Sequence, residues 1–359
     1  MVKLTKIADL KLKLFNFLDL TKYNNFLVLT DDDEDGLTSA LQIKKFLISN
    51  KKKVNVFFNE KGSIVPTAIK EEDVFKEFFD ETNPDFLIFL DLNESTIINK
   101  LKLIDDSVPI LIIDHHPSPK EIIFKNPLFV LKPNMFSDLP SANYSTTKIV
   151  YDFFDGDELN TVIGLIGDSA TKNWVEFIKT NLEKNNLNLE QAILISDIIK
   201  SVCSYKGDKY KLFDFIFENK ISAILGSEFE KSSIEFQEEI KSEIKRFDKD
   251  AEIFKNLDLA FFETKNGLPS KLSNMLSKKF TYTLVIFARD DYTKGSVRRN
   301  DFKVNAGELI KYAIKNDSIA RGGGHIPAGG FACLNDYWQE FKKRAIEFAL
   351  NNPPLKVLD

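Results

Sequence analysis

Residues 26–40 read FLVLTDDDEDGLTSA, an apolar run that ends in five consecutive acidic residues and a glycine. Packed carboxylates repel one another, which raises their pKa values and destabilises a fold unless positive charge offsets them. The stretch therefore predicts a cationic partner. If the acidic run is extended, Asp31, Asp33 and Asp35 point one way at period two, and Asp32 and Glu34 point elsewhere. Gly36 then permits a sharp turn into a helix, LTSALQIKKFL, whose N-terminus suits a phosphate.

The same pattern returns along the chain. Apolar runs end in aspartate at FLIFLDLN (86–93), ILIIDHH (110–116) and VIGLIGDSA (162–170). Strand-like runs at 25–30, 53–59, 85–90, 109–114 and 129–132 alternate with helical patterns near 37–50, 68–80 and 94–104. Such alternation predicts an α/β fold with a parallel sheet covered on both faces. Open parallel sheets bind ligands at the carboxyl ends of their strands. The first three runs thus predict Asp31, Asp33, Asp35, Asp91, Asp114, His115 and His116 at one edge, with Asp168 joining from a loop or helix start. One such run is more simply an exposed strand end. Four together, with oxygen donors and adjacent imidazoles, predict Mn²⁺ or Mg²⁺ rather than a thiolate-bound structural zinc.

At 359 residues, with 43 % hydrophobic and 29 % charged residues, the chain predicts a soluble protein of two domains. No apolar run reaches the roughly 18 residues of a membrane span, and the N-terminus has no signal-peptide core. Cys203 and Cys333 stand far apart, which fits a reducing cytoplasm better than a disulfide framework. A formal charge of −5 argues against coating nucleic acid nonspecifically but permits a local basic patch.

The later chain reads differently. It turns helical from about 185 to 255, with residues 232–257 expected as one long amphipathic helix. Strand signals restart at 257–263 and 282–288, opening a second, smaller α/β domain. All six arginines lie from Arg246 onward, so this third is the better candidate for gripping phosphate, unless the asymmetry only reflects base composition. The segment ARGGGHIPAGGF (320–331) places five glycines around His325, beside Arg321. It is either a plain flexible loop or a place where backbone N–H groups approach an anion.

These residues together resemble the DHH phosphoesterase superfamily, in the RecJ-like subgroup of single-strand exonucleases that carry a C-terminal DHHA1 domain. Asp31-Asp32-Asp33-Glu34-Asp35-Gly36 is similar to the first family motif, Asp91 to the second, Asp114-His115-His116 to the third and Asp168 to the fourth. Lys294-Gly295-Ser296-Val297-Arg298 and Gly322-Gly323-Gly324-His325 resemble DHHA1 segments. The resemblance implies a DHH catalytic domain over 1–185, a helical connector over 186–255 and a DHHA1 substrate-binding domain over 256–359.

It further implies a two-metal phosphodiesterase acting between domains, with two divalent ions, Mn²⁺ or Mg²⁺. Asp91 would bridge them; Asp31, Asp33 and Asp35 would serve mainly one, and His115 with Asp168 the other. Asp114 would orient a histidine and His116 would contact phosphate or metal, making them the catalytic pair. Ser296, Arg298, Arg321, Gly323, Gly324 and His325 would hold substrate. Apart from the resemblance, Phe331 or Tyr292 could stack a base, but with 32 phenylalanines core packing is the default for any one. Asp32 and Glu34 add charge beyond the family pattern, and Leu92-Asn93 stand where relatives have a glycine nearby. The expected substrate is single-stranded DNA or RNA. Alternatives are short oligonucleotides (nanoRNase-type) or bisphosphorylated nucleotides, or a replication-fork scaffold. A replication or repair protein partner is compatible with the sequence without being written in it.

Overall fold

The protein is described by a computed structural model covering residues 2–59, 72–92, 94–116, 125–204, 208–265, 268–314, 318–324 and 326–353. It divides into two compact units, one running essentially through Ser233 and the other from Ile234 onward.

The first unit contains α1 (Val2–Leu18), β1 (Asn25–Asp31), α2 (Glu34–Ser49), β2 (Lys53–Asn59), α3 (Glu72–Thr82), β3 (Phe86–Leu90), α4 (Glu94–Leu101), β4 (Ile110–Ile113) and β5 (Leu128–Leu131). It continues through α5 (Thr146–Phe154), α6 (Glu158–Gly167), α7 (Val175–Lys184), α8 (Leu189–Ser204), α9 (Lys209–Glu218) and the start of α10 (Glu228–Asp250). Its five strands are all parallel in the order β2-β1-β3-β4-β5.

Alternation along the strands assigns their side chains to two cores. Phe26, Val28, Phe86, Ile88, Leu111 and Ile113 pack with α1, α2, α5 and α6. Leu27, Leu29, Leu87, Phe89, Ile110 and Ile112 pack with α3 and α4. Both faces are thus dry, as near-continuous apolar strands require. From β1 the chain crosses to β2 on one side and to β3 on the other. The carboxyl ends of neighbours β1, β3 and β4 therefore lie at a topological switch point, where open sheets bind ligands.

The second unit contains the rest of α10, β6 (Glu252–Phe254), β7 (Leu259–Glu263), α11 (Pro269–Leu276), β8 (Thr283–Arg289), β9 (Thr293–Arg298), α12 (Ala306–Ala313), β10 (Ala320–Gly324), β11 (Ala328–Cys333) and α13 (Trp338–Asn351). Its mixed sheet runs β10-β11-β9-β8-β7-β6, with β7 and β8 parallel and the other pairs antiparallel. The long helix spans 228–250 rather than 232–257. It ends early because Glu252–Phe254 pair with β7 instead of continuing the helix. Among the described residues no helix is long and apolar enough to cross a membrane.

Candidate metal centre

The acidic run is not extended throughout. β1 stops at Asp31, Asp33 is the N-cap of α2, and Glu34 and Asp35 form its first turn. The Asp33 carboxylate accepts a hydrogen bond from the Gly36 N–H at 2.9 Å. Asp residues suit this place because they cap free N–H groups and face the positive end of the helix dipole. Gly36 accordingly lies inside the helix and is not a hinge before it. A Cβ there would stand 2.4 Å from the Asp31 carbonyl oxygen, so glycine lets α2 close against β1.

This geometry sorts the five acids. Asp32 pairs with Lys209 Nζ at 3.1 Å, and Glu34 with Lys200 Nζ at 3.0 Å. The two surplus charges are thus met by lysines of α9 and α8. Asp31 and Asp33 gather with Asp91, and Asp35 gathers with His115 and Asp168. A third group joins Asp91 to His115 and His116. In each group the candidate ligand atoms lie within 4.8 Å of one another. Asp35 therefore stands with His115 and Asp168, with the Asp33 charge near enough to act on it.

Each partner of Asp35 and Asp91 comes from distant chain. The Thr146 and Thr147 N–H groups, at the start of α5, donate to Asp35 Oδ2 and Oδ1 at 2.7 and 2.8 Å. Burial nonetheless pushes the Asp35 pKa well above the carboxylate range, and the charges of Asp168 and Asp33 push it further. A divalent cation would reverse that balance. Asp91 follows β3 with a left-handed φ of 56°, a conformation costing about 1–2 kcal/mol outside glycine. This turn presents its carboxylate to Thr146 Oγ1 at 3.1 Å and to His115 Nε2 at 3.4 Å.

Asp168 does not enter from a strand or a helix start. It is the C-cap of α6, where the helix dipole disfavours a carboxylate. Its position is costly without a cation nearby. Its Oδ2 stands 3.7 Å from His115 Nδ1.

Asp114 holds His116. Its Oδ1 lies 2.7 Å from His116 Nδ1, and since an ionised carboxylate only accepts, that nitrogen carries the proton. The bond raises the His116 pKa. Burial opposes ionisation of Asp114, but His116 and Lys132 together hold its pKa below the usual carboxylate value. Lys132 Nζ stands 3.0 Å from Asp114 Oδ2 and donates to the His116 carbonyl at 2.9 Å. Buried and half-buried carboxylates with imidazoles among them could hold divalent metal.

The model of the DHH family, N-terminal domain, matches residues 25–175. Residues 25–175 are a DHH-family domain. No curated protein matches the chain in sequence. Among solved structures, exonuclease RecJ bound to manganese superposes with a TM-score of 0.72 at 16 % identity, over 94 % of each chain. RecJ of Thermus thermophilus with Mn²⁺ gives 0.70 at 17 % identity, over 98 % of this chain and 55 % of that one. CDC45 from Entamoeba histolytica gives 0.57 at 10 % identity, over 96 % and 99 %. At these identities the likeness concerns the fold.

Beyond the DHH domain, the glycine segment is strand, not loop. Gly322–Gly324 lie in edge strand β10, paired with Phe331–Gly329 of β11. The register places Lys294, Ser296 and Arg298 of β9, Gly330 of β11, and Arg321 and Gly323 of β10 on one face of the sheet. Further along that face, β7 and β8 are covered by α10 and α11. A Cβ at Gly323 would meet nothing within 4 Å, so the glycine floor is open. Among the described residues Arg298 Nε has no hydrogen-bond partner, and desolvation lowers the guanidinium pKa. Arg321 is exposed, whereas Ser296 is buried and bonded to Ser273 Oγ at 2.9 Å. His325 lies outside the described residues.

Phe331 is 2 % exposed and stacks on Phe341 in the opposite core, so it is unavailable to a base. Tyr292 is half-buried. Phe302 is instead 63 % exposed, at a left-handed φ of 60°, and lines a groove of about 400 Å³ with Asn305, Lys311, Gly324 and Ile326.

Proposed function

We propose that the chain is a metal-dependent phosphodiesterase, and within that class a RecJ-like exonuclease of single-stranded DNA or RNA. The observation that carries the reading is the convergence of Asp31, Asp33, Asp35, Asp91, His115 and Asp168 into adjoining ligand groups at one sheet edge, with His116 beside them. We assign Asp31, Asp33 and Asp91 to one divalent ion, and Asp35, His115 and Asp168 to a second, with Asp91 between. Such ions supply a nucleophile from water at neutral pH and offset charge on the phosphoryl oxygens.

The chain's own residues then have defined tasks. Asp114 and Lys132 fix the His116 ring, and Asp114 favours its cationic form. His116 directs its outer N–H toward the phosphate and can return a proton to the leaving oxygen. In the second unit, read as a DHHA1 domain, Arg298 and Arg321 meet phosphates over the Gly323–Gly330 floor, where bare backbone permits close approach. Phe302 offers an exposed ring for a base. Retention of the acidic and imidazole groups argues for an enzyme over a scaffold.

End-labelled DNA and RNA ladders incubated with Mn²⁺, and again after chelation, test this reading. Shortening from one end, lost on chelation and in Asp91→Ala, is expected. Preference for the shortest substrates, a few nucleotides long, would instead identify a phosphodiesterase of short oligonucleotides. Full activity of Asp91→Ala would overturn the assignment.

A further inference from the structure

The segment from Ser141 to Lys148 touches three residues of the centre, His115, Asp35 and Asp91. The Ser141 carbonyl lies 3.3 Å from His115 Nδ1. Thr146 and Thr147 clamp Asp35 through their N–H groups, and the Thr146 hydroxyl donates to Asp91 Oδ1. Thr146 thus grips one ligand group with its backbone and the other with its side chain. It is wholly buried.

The segment is itself anchored on both sides. The Trp174 indole N–H donates to the Asn143 carbonyl at 2.9 Å. Lys148, 5 % exposed at its side chain, pairs with Asp152, which also accepts from the Tyr144 hydroxyl. Its ammonium stands 4.4 Å from the Trp174 ring and 5.0 Å from that of Tyr151. Toward α2, Thr147 Oγ1 lies 2.8 Å from Gln42 Nε2 and 3.2 Å from Thr38 Oγ1. A buried cation among aromatic rings is well held, and the bonds of Thr147, Tyr144 and Asn143 tie the turn to its surroundings, with Ser145 Oγ buried and unbonded among the described residues. The turn carrying Thr146 therefore has little freedom to drift.

We infer that Thr146 is a positioning residue that sets the spacing of the two ligand groups, by holding the Asp91 carboxylate in register with Asp35. The inference rests on the metal reading above. Asp91 Oδ1 also stands 3.4 Å from His115 Nε2 and 3.7 Å from His116 Nδ1. The Thr146 O–H fixes which way that oxygen turns, and so where the other oxygen is offered to a cation. Without the hydroxyl the carboxylate loses that restraint, while the backbone clamp on Asp35 stays intact.

The test is Mn²⁺ titration of metal-free parent, Thr146→Val and Thr146→Ser, followed by calorimetry and by the paramagnetic resonance of free Mn²⁺. Loss of a partner that orients a metal ligand typically weakens binding by about 10–100-fold. That loss is expected for Thr146→Val, with recovery to within a few-fold in Thr146→Ser and similar metal-free melting temperatures for all three. Should Thr146→Val not fold, Thr146→Ala carries the same expectation. Parent-like Mn²⁺ affinity in the hydroxyl-free variant, or equal loss in Thr146→Ser, overturns the inference while leaving the metal reading intact. A parent that binds no Mn²⁺ removes both.

Discussion

The edge of the parallel sheet and the outer strands of the mixed sheet solve opposite problems. At the first, most carboxylates have been given a neutral or cationic neighbour: a lysine for Asp32 and Glu34, a helix start for Asp33, two N–H groups for Asp35, a hydroxyl for Asp91, and an imidazole and a lysine for Asp114. At the second, side chains have been removed. Gly323 opens onto free space, and Arg298 Nε is buried with no partner among the described residues. Preorganisation suits groups that must hold reacting atoms within a fraction of an ångström. An open, cationic strand face suits a ligand whose backbone lies along it. On the proposed function, chemistry would belong to the first unit and grip to the second.

That division is tested hardest at Asp91. Asp91→Ala should lower hydrolysis by at least about a thousandfold, equivalent to about 4 kcal/mol of transition-state stabilisation. Its affinity for catalytically inert, phosphorothioate-capped oligonucleotide should change far less. Arg298→Ala should do the reverse. Removing a charged hydrogen-bond donor worth about 1.5–3 kcal/mol raises KM roughly tenfold to a hundredfold, with kcat within a few-fold. A kcat loss equal to the KM change would merge the two regions into one.

Two glycines carry the contrast to the level of the fold. Gly36→Ala drives a methyl toward the Asp31 carbonyl and should cost about 1–3 kcal/mol in a denaturant titration. Gly323→Ala meets open space and should leave stability within about 0.5 kcal/mol while weakening oligonucleotide binding. Equal destabilisation in both would show that the β10 face is covered.

The last contrast concerns the core under that face. Burial pushes the Cys333 thiol from 9.0 up to about 12, against a hydrogen bond with Thr293. An unfolded thiol ionises above pH 9.0 while the folded one keeps its proton. The stabilising contribution is therefore whole below pH 9.0 and is lost as pH rises toward 12. The stability gap between parent and Cys333→Ala should narrow by up to about 1.4 kcal/mol per pH unit across that window. A constant gap would show that the thiol is wet.

Much of the architecture was legible because apolar strands buried on both faces leave a plain mark. The runs ending at Asp31, Asp91 and Asp114 became neighbouring strands or their immediate ends. The acidic run departs locally from extended alternation: Asp33 and Asp35 take N-cap and first-turn positions, which favour the same residue types. Asp168 was found from its apolar run, but its helix C-cap setting was not. Lys132, Thr146, Lys200 and Lys209 left no signal, since a lysine or threonine far along the chain is marked only by the neighbour it meets after folding. Glycines in β10 and Phe331 in the core show the same limit. The glycine segment reads as a loop or an anion-binding backbone and lies in a paired strand, while Phe331 takes the core place that 32 phenylalanines make the default.

The account depends most on the cations themselves. Mn²⁺ titrated into metal-free protein should saturate at about two ions per chain, as paired-metal chemistry requires. It should raise stability by about 2.7 kcal/mol at a hundred times Kd, and Asp91→Ala should lose at least one of the ions. An absence of binding in the parent, or identical stoichiometry in Asp91→Ala, would contradict it.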